Sequence, residues 1–303
     1  MTAPSTSDVQ ERLSSVLEAF CRLTHRFLLE APNHQQPWAI ARSYLEKQGF
    51  TPDRLDRLPI GLFVDCPTIN DALQGAGFSA QEIDASELAA DPRLDGRLLG
   101  PIRDSRGSVK SFWAHDPLGK RPEYLFKGKW KEELGAFGLD VALPALAHGR
   151  HALVLVESLL DALLLHCRGF PGVAAVAGPA AQLTRKRWER LAGLGVLRVK
   201  LVVRPDEAGR HEAGPHEAGP PRAAVALENA TQAEPSPQVW VVPQERLEGL
   251  SGPGEFVRIR GLDAFRQILE PPGQPLSSTN ERLHKPGFCP LHRCPETWCF
   301  CFD

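Results

Sequence analysis

From residue 152 onward, short continuous apolar runs alternate with helix-length segments, and this alternation limits the fold more than any other feature of the chain. The runs are Ala152–Glu157, Val173–Gly178, Val199–Val203 and Gln238–Pro243. Between them lie Ser158–Gly169, Leu183–Leu194 and a stretch from about Arg222 to Asn229, each with helical character. Strands that are apolar on both faces and separated by helices belong to a parallel sheet covered on both sides. The pattern therefore predicts an α/β domain over 151–270.

The preceding residues read differently. Val9, Leu13, Val16, Leu17, Phe20, Leu23, Phe27 and Leu28 recur at three and four, predicting an amphipathic helix over 9–30 with Asp8 as its N-cap. A second helix is expected over 38–48, stopping at Gly49, and a third after Thr51-Pro52. A short strand at GLFVD and helices from near Thr68 and Ser79 complete a helical module over 1–92. Residues 93–150 form a β-rich module, in which LLGPIRD, SVKSFWAHD and EYLF are broken by Ser105-Arg106-Gly107 and Pro117-Leu118-Gly119. The repeated HEAGP at 211–220 reads as a solvated low-complexity loop, and 271–303 as a linker followed by a Cys/His-rich tail.

No run approaches the apolar length of a membrane span, and the N-terminus lacks the basic start and apolar stretch of a signal peptide, so a cytoplasmic protein with no membrane partner is expected. A formal charge of −2 argues against blanket coating of nucleic acid and asks for a local patch. One lies between Pro101 and Lys131, where Arg103, Arg106, Lys110, Lys120, Arg121, Lys127, Lys129 and Lys131 face only Asp104, Asp116 and Glu123, with Phe112, Trp113, Tyr124 and Trp130 interleaved. Cations can contact phosphates while aromatic faces stack on unpaired bases; alternatively the aromatics point into a core beneath a solvated surface. The segment LTRKRWERL adds Arg185, Lys186, Arg187 and Arg190 on what reads as an exposed helix face.

Of the seven cysteines, Cys21, Cys66 and Cys167 stand singly in apolar surroundings and read as buried thiols. The other four crowd the end of the chain, where Cys289, His292, Cys294, Cys299 and Cys301 offer five candidates for the four places of a tetrahedral Zn²⁺. Free reactive thiols are the alternative.

In a parallel sheet the carboxyl ends of strands line the ligand crevice, so Glu157 and Asp206, each following a strand, should face one site suited to Mg²⁺. Order and spacing add to this. A strand ending in Val-Glu, a helix opening with Asp161, a middle strand closing in Gly178, and a strand leading into Asp206-Glu207-Ala208-Gly209-Arg210 together resemble the toprim domain of bacterial DnaG-type DNA primases. Similar segments flank it: ARSYLEKQGFTPDRLDRLPIG at 41–61, GRLLGPIRDSRGSVKSFWAHD at 96–116 and GEFVRIRGLDAFRQIL at 254–269.

This resemblance implies a Rossmann-like toprim fold. It also implies metal-dependent nucleotidyl transfer making short primers on single-stranded DNA, with Glu157, Asp161 and Asp206 around Mg²⁺ and Arg103, Lys127, Lys129, Lys131 and Arg210 on nucleic acid and nucleotides. It brings replication proteins in as partners, although the family's helicase-binding domain is not evident. The departures point the other way. The first aspartate of the family's Asp-x-Asp pair is Arg204 here, and an acidic Asp-Pro-Asp-Glu-like element reads Gly252-Pro253-Gly254-Glu255. Two-metal phosphoryl transfer relies on cations held by several carboxylates. The sequence therefore leaves a second reading, a primase-fold accessory protein that binds nucleic acid in replication, repair or a mobile element without catalysis.

Overall fold

Four short strands between Gly61 and Phe126 form one antiparallel sheet, and four between Leu153 and Val242 form a parallel one. A computed structural model describes residues 6–30, 36–51, 55, 58–86, 91–119, 124–127, 133–147, 152–204 and 222–270. The chain divides into two units, 1–130 and 131–303.

In the first unit, α1 (Thr6–Glu30) starts two residues before Asp8, which is therefore inside the helix rather than its cap. α2 (Gln36–Lys47) is followed by Gly49 at φ 94°, a conformation that suits glycine and ends the helix. α3 (Cys66–Gly75) is capped by Asp65, whose carboxylate accepts from Thr68 N, and α4 (Ala80–Ala85) by a reciprocal Ser79–Glu82 capping box. Strands β1 (Gly61–Leu62), β2 (Leu98–Arg103), β3 (Val109–His115) and β4 (Tyr124–Phe126) lie in that order as a meander, with a register shift at Ile102/Arg103. Val16, Phe20 and Leu23 of α1 pack with Ile69, Ile83, Leu99, Val109 and Phe112 in a single core. The helices expected over 1–92 and the β-rich stretch that follows thus share one interior.

In the second unit, α5 (Leu139–Ala147) precedes β5 (Leu153–Val156), α6 (Leu159–Cys167), β6 (Val173–Ala175), α7 (Arg185–Gly193), β7 (Arg198–Val202), α8 (Arg222–Thr231) and β8 (Gln238–Val242). The sheet order is β6-β5-β7-β8 and every pairing is parallel, as the apolar runs require. In β5, Leu153, Val154, Leu155 and Val156 are all buried. At roughly 1.5–3 kcal/mol for each fully buried side chain of this size, the central strand anchors the unit. Trp188 of α7 is also buried and donates from Nε1 to Ala226 O at 3.0 Å, joining α7 to α8.

Two helices close the described chain, α9 (Pro253–Arg260) and α10 (Leu262–Ile268). The sequence pattern anticipates neither α9 nor α5, whose Pro144 interrupts helical spacing. Arg187 also departs from expectation. It is buried and donates to Gly135 O, Val176 O and Gln182 O, a brace rather than part of an exposed basic face. Cys21 and Cys167 are buried as expected, while Cys66 is half-buried. Among the described residues no helix is long and apolar enough to cross a membrane.

Candidate functional site

The order β6-β5-β7-β8 reverses direction between β5 and β7, and ligands of open α/β sheets bind outside the carboxyl ends of the strands at such a point. Glu157 follows β5 and Arg204 lies just past the end of β7, so these two residues flank the crevice. Glu157 is buried, and its carboxylate is held on both oxygens. Oε1 accepts from Ala180 N at 2.6 Å and Oε2 from Arg204 N at 2.9 Å. One side chain thereby ties the ends of β5 and β7 to the turn after β6.

Asp161 sits in the first turn of α6, which is capped by Ser158. Its carboxylate reaches across to the start of α9, where Oδ1 accepts from Gly254 N at 3.2 Å. Gly252, the N-cap of α9, supplies no side-chain cap, so Asp161 satisfies a helix-terminal N–H from a distant element. Its Oδ2 is buried with no hydrogen-bond partner among the described residues. Burial pushes the Asp161 carboxyl up to about 6, against the opposing influence of Arg204 and the Gly254 N–H; Glu157 and Glu255 add to the upward shift.

The glycines at 252 and 254 are explained by this arrangement. A Cβ at 254 would overlap Asp161 Oδ1, and one at 252 would stand 2.9 Å from Oδ2 and 3.2 Å from Arg204 Nε. The space that side chains at 252 and 254 would enter belongs to Asp161 and Arg204. The Arg204 guanidinium donates from Nε to Ser251 O at 3.0 Å, and its backbone carbonyl accepts from Gln244 Nε2 at 3.1 Å. Glu255 folds back on the turn before α9, accepting from Ser251 N and Ser251 Oγ, each at 2.8 Å.

A pair of divalent cations would need several carboxylate oxygens open toward the crevice. Here Glu157 is bound on both oxygens by backbone, Asp161 caps α9, positions 252 and 254 carry no side chain, and position 204 contributes a guanidinium. These residues do not fit a two-cation site. Among the described residues no cluster of three or more His, Cys, Asp or Glu side chains is arranged to hold a metal. Asp206 and Arg210 lie outside the described residues, as do Lys129, Lys131, Cys289, His292, Cys294, Cys299 and Cys301.

The first unit carries the basic stretch. Arg103 is not open there: its guanidinium pairs with Glu18 at 2.6 and 3.2 Å and donates to Gly107 O at 2.6 Å, bracing α1 against the β2–β3 turn. Phe112 and Trp113 are buried, so neither ring is available to a base. Tyr124 and Phe126 project from one side of β4, half-buried, with centroids 6.1 Å apart and nearly parallel planes. Tyr124 also packs on His115, which packs on Tyr44. Lys127 follows directly, with Nζ 3.7 Å from Asp91 Oδ2 and 27% side-chain exposure. Exposed Arg93 binds the same Asp91 and, as the main cause, holds that carboxyl down at about 2.

No family model matches the chain. The DNA primase of Chlamydia pneumoniae is 26% identical over 266 residues, covering 85% of this chain and 41% of that relative. The chain is similar to DNA primases over most of its own length. It spans about two fifths of the length of that DNA primase. The RNA polymerase domain of Mycobacterium tuberculosis primase DnaG superposes with a TM-score of 0.65 at 23% identity, covering 86% of this chain and 83% of that one. A DnaG primase catalytic domain bound to single-stranded DNA matches with a TM-score of 0.62 at 22% identity, covering 87% of this chain and 82% of that one. The fold is that of the DnaG catalytic core.

Proposed function

We propose that the chain is a primase-type protein that binds single-stranded DNA in replication. Its primase relatives and its DnaG catalytic-core fold support this reading, and one core of that fold has been described bound to single-stranded DNA. The DNA lies along β4, where half-buried Tyr124 and Phe126 stand beside Lys127, with Lys129 and Lys131 adding charge further along the chain. Stacking on such rings is sequence-tolerant, and lysines follow the phosphates.

Two readings of the crevice follow from this, primer synthesis through Mg²⁺ at Glu157 and Asp206, or DNA binding without chemistry. The observation that favours the second is the space around Gly252 and Gly254, filled by Asp161 and Arg204. The experiment for the DNA-binding claim is fluorescence anisotropy of a labelled single-stranded oligonucleotide titrated with the full chain. Saturable binding that weakens as salt rises is expected; no binding at low salt would overturn it.

A further inference from the structure

Arg204 is an exposed cation at the crevice whose hydrogen-bonding capacity is only partly used among the described residues. Its backbone N–H is taken by Glu157, its carbonyl by Gln244 and its Nε by Ser251 O, which fixes the side chain while Nη1 and Nη2 have no partner among the described residues. The residue is exposed. The neighbouring acids take their hydrogen bonds from donors other than the Arg204 guanidinium, although Asp161 and Glu255 also feel the Arg204 charge. Glu157 binds two backbone N–H groups, Asp161 caps α9 with its second oxygen buried, and Glu255 binds Ser251 and Arg258. Two helices, α6 and α9, begin at this end of the unit and direct the positive ends of their dipoles toward it. A planar guanidinium held at one nitrogen, with two others facing solvent, presents the fork that phosphate oxygens accept.

We propose that Arg204 makes the crevice between β5 and β7 a phosphate-binding site that works without a divalent metal, a fixed guanidinium serving where carboxylate-held cations would otherwise meet the phosphate. The proposal rests on the reading of the chain as a primase-type DNA-binding protein. The ligand is a phosphate of nucleic acid, supplied either by the DNA backbone or by the triphosphate of a nucleotide. No bond is made or broken in this step, so it needs no co-reactant.

The test measures binding to the full chain in excess chelator, with a labelled single-stranded oligonucleotide and, separately, with ATP. Wild type is compared with Arg204→Ala and with Arg204→Gln, which keeps a donor for the Ser251 carbonyl if the alanine variant folds poorly. Both variants should weaken at least one probe by about tenfold, the loss of one charge-assisted phosphate contact. Loss on the oligonucleotide alone assigns the site to the DNA backbone, and loss on ATP alone to the nucleotide. Unchanged affinity for both probes, or wild type that binds neither in chelator, overturns the proposal. Wild type that binds ATP through Arg204 but no oligonucleotide would remove the DNA-binding reading and leave this inference standing. Oligonucleotide binding that is indifferent to both variants, with ATP also indifferent, would do the reverse.

Discussion

Asp161 and Gly254, 93 residues apart, meet at 3.2 Å, the carboxylate of one helix accepting the backbone N–H at the start of another. This contact turns an acid that the family resemblance assigns to a metal into a structural cap, and it makes glycine at 254 a steric requirement.

Returning an acid to position 254 should therefore harm the fold unless Asp161 is shortened. Gly254→Asp alone is expected to lower stability by about 2 kcal/mol or more through overpacking and carboxylate repulsion. Gly254→Asp combined with Asp161→Ala should recover part of that loss, giving a non-additive cycle by thermal or urea unfolding. Additive losses would mean that the two positions do not share space.

The Asp161 carboxyl gives the fold a pH signature. Its folded value, raised by burial to about 6, exceeds the ordinary 3.8, so the folded state holds this proton more tightly than the unfolded chain. Its contribution to stability is then fully present below about pH 4 and is lost as pH rises through about 6. Arg204 and the Gly254 N–H oppose the shift, and Glu157 and Glu255 reinforce it. Asp161→Asn removes the titration, so wild type should gain stability relative to this variant on going from pH 7 to pH 5. A difference independent of pH across that window would contradict the assignment.

The alternation of apolar strands and helices was enough to reveal the parallel sheet, because a strand buried on both faces has no other reading at that length. The flanking helices were legible where their caps were local, as at Asp65 and Ser79. α9 was not, since it begins Gly-Pro-Gly and takes its cap from Asp161 in a distant helix. Arg187 was misplaced because charge was read as exposure. Its spacing with Leu183 and Leu191, four residues either side, marks the buried face. The position of Glu157 at the crevice was legible from its strand end, but its two backbone partners, at Ala180 and Arg204, come from separate strand connections that no local pattern joins.

Replacing Lys127, Lys129 and Lys131 with alanine should weaken single-stranded DNA binding and flatten its salt dependence. Each phosphate contact removed lowers the slope of log K against log[salt] by about 0.7 for single strands. An unchanged slope would make these lysines solvated surface only.

The zinc proposal for the tail has its own readout. Purified protein should carry close to one zinc per chain, about what four of Cys289, His292, Cys294, Cys299 and Cys301 can hold, and the tail thiols should resist alkylation until chelator is added. Cys289→Ser should release the metal. Metal-free protein with freely alkylated tail cysteines under reducing conditions would sink the assignment.

The measurement that bears most directly on the central claim is nucleotide incorporation on single-stranded DNA with Mg²⁺ or Mn²⁺, comparing wild type with Glu157→Gln at protein concentrations that saturate the DNA. A crevice whose described acids Glu157 and Asp161 are spent on backbone and on a helix start should give wild type no incorporation above the variant, while the DNA stays bound. Template-dependent incorporation by wild type that disappears in Glu157→Gln would contradict the account and restore Glu157 to metal-dependent nucleotidyl transfer.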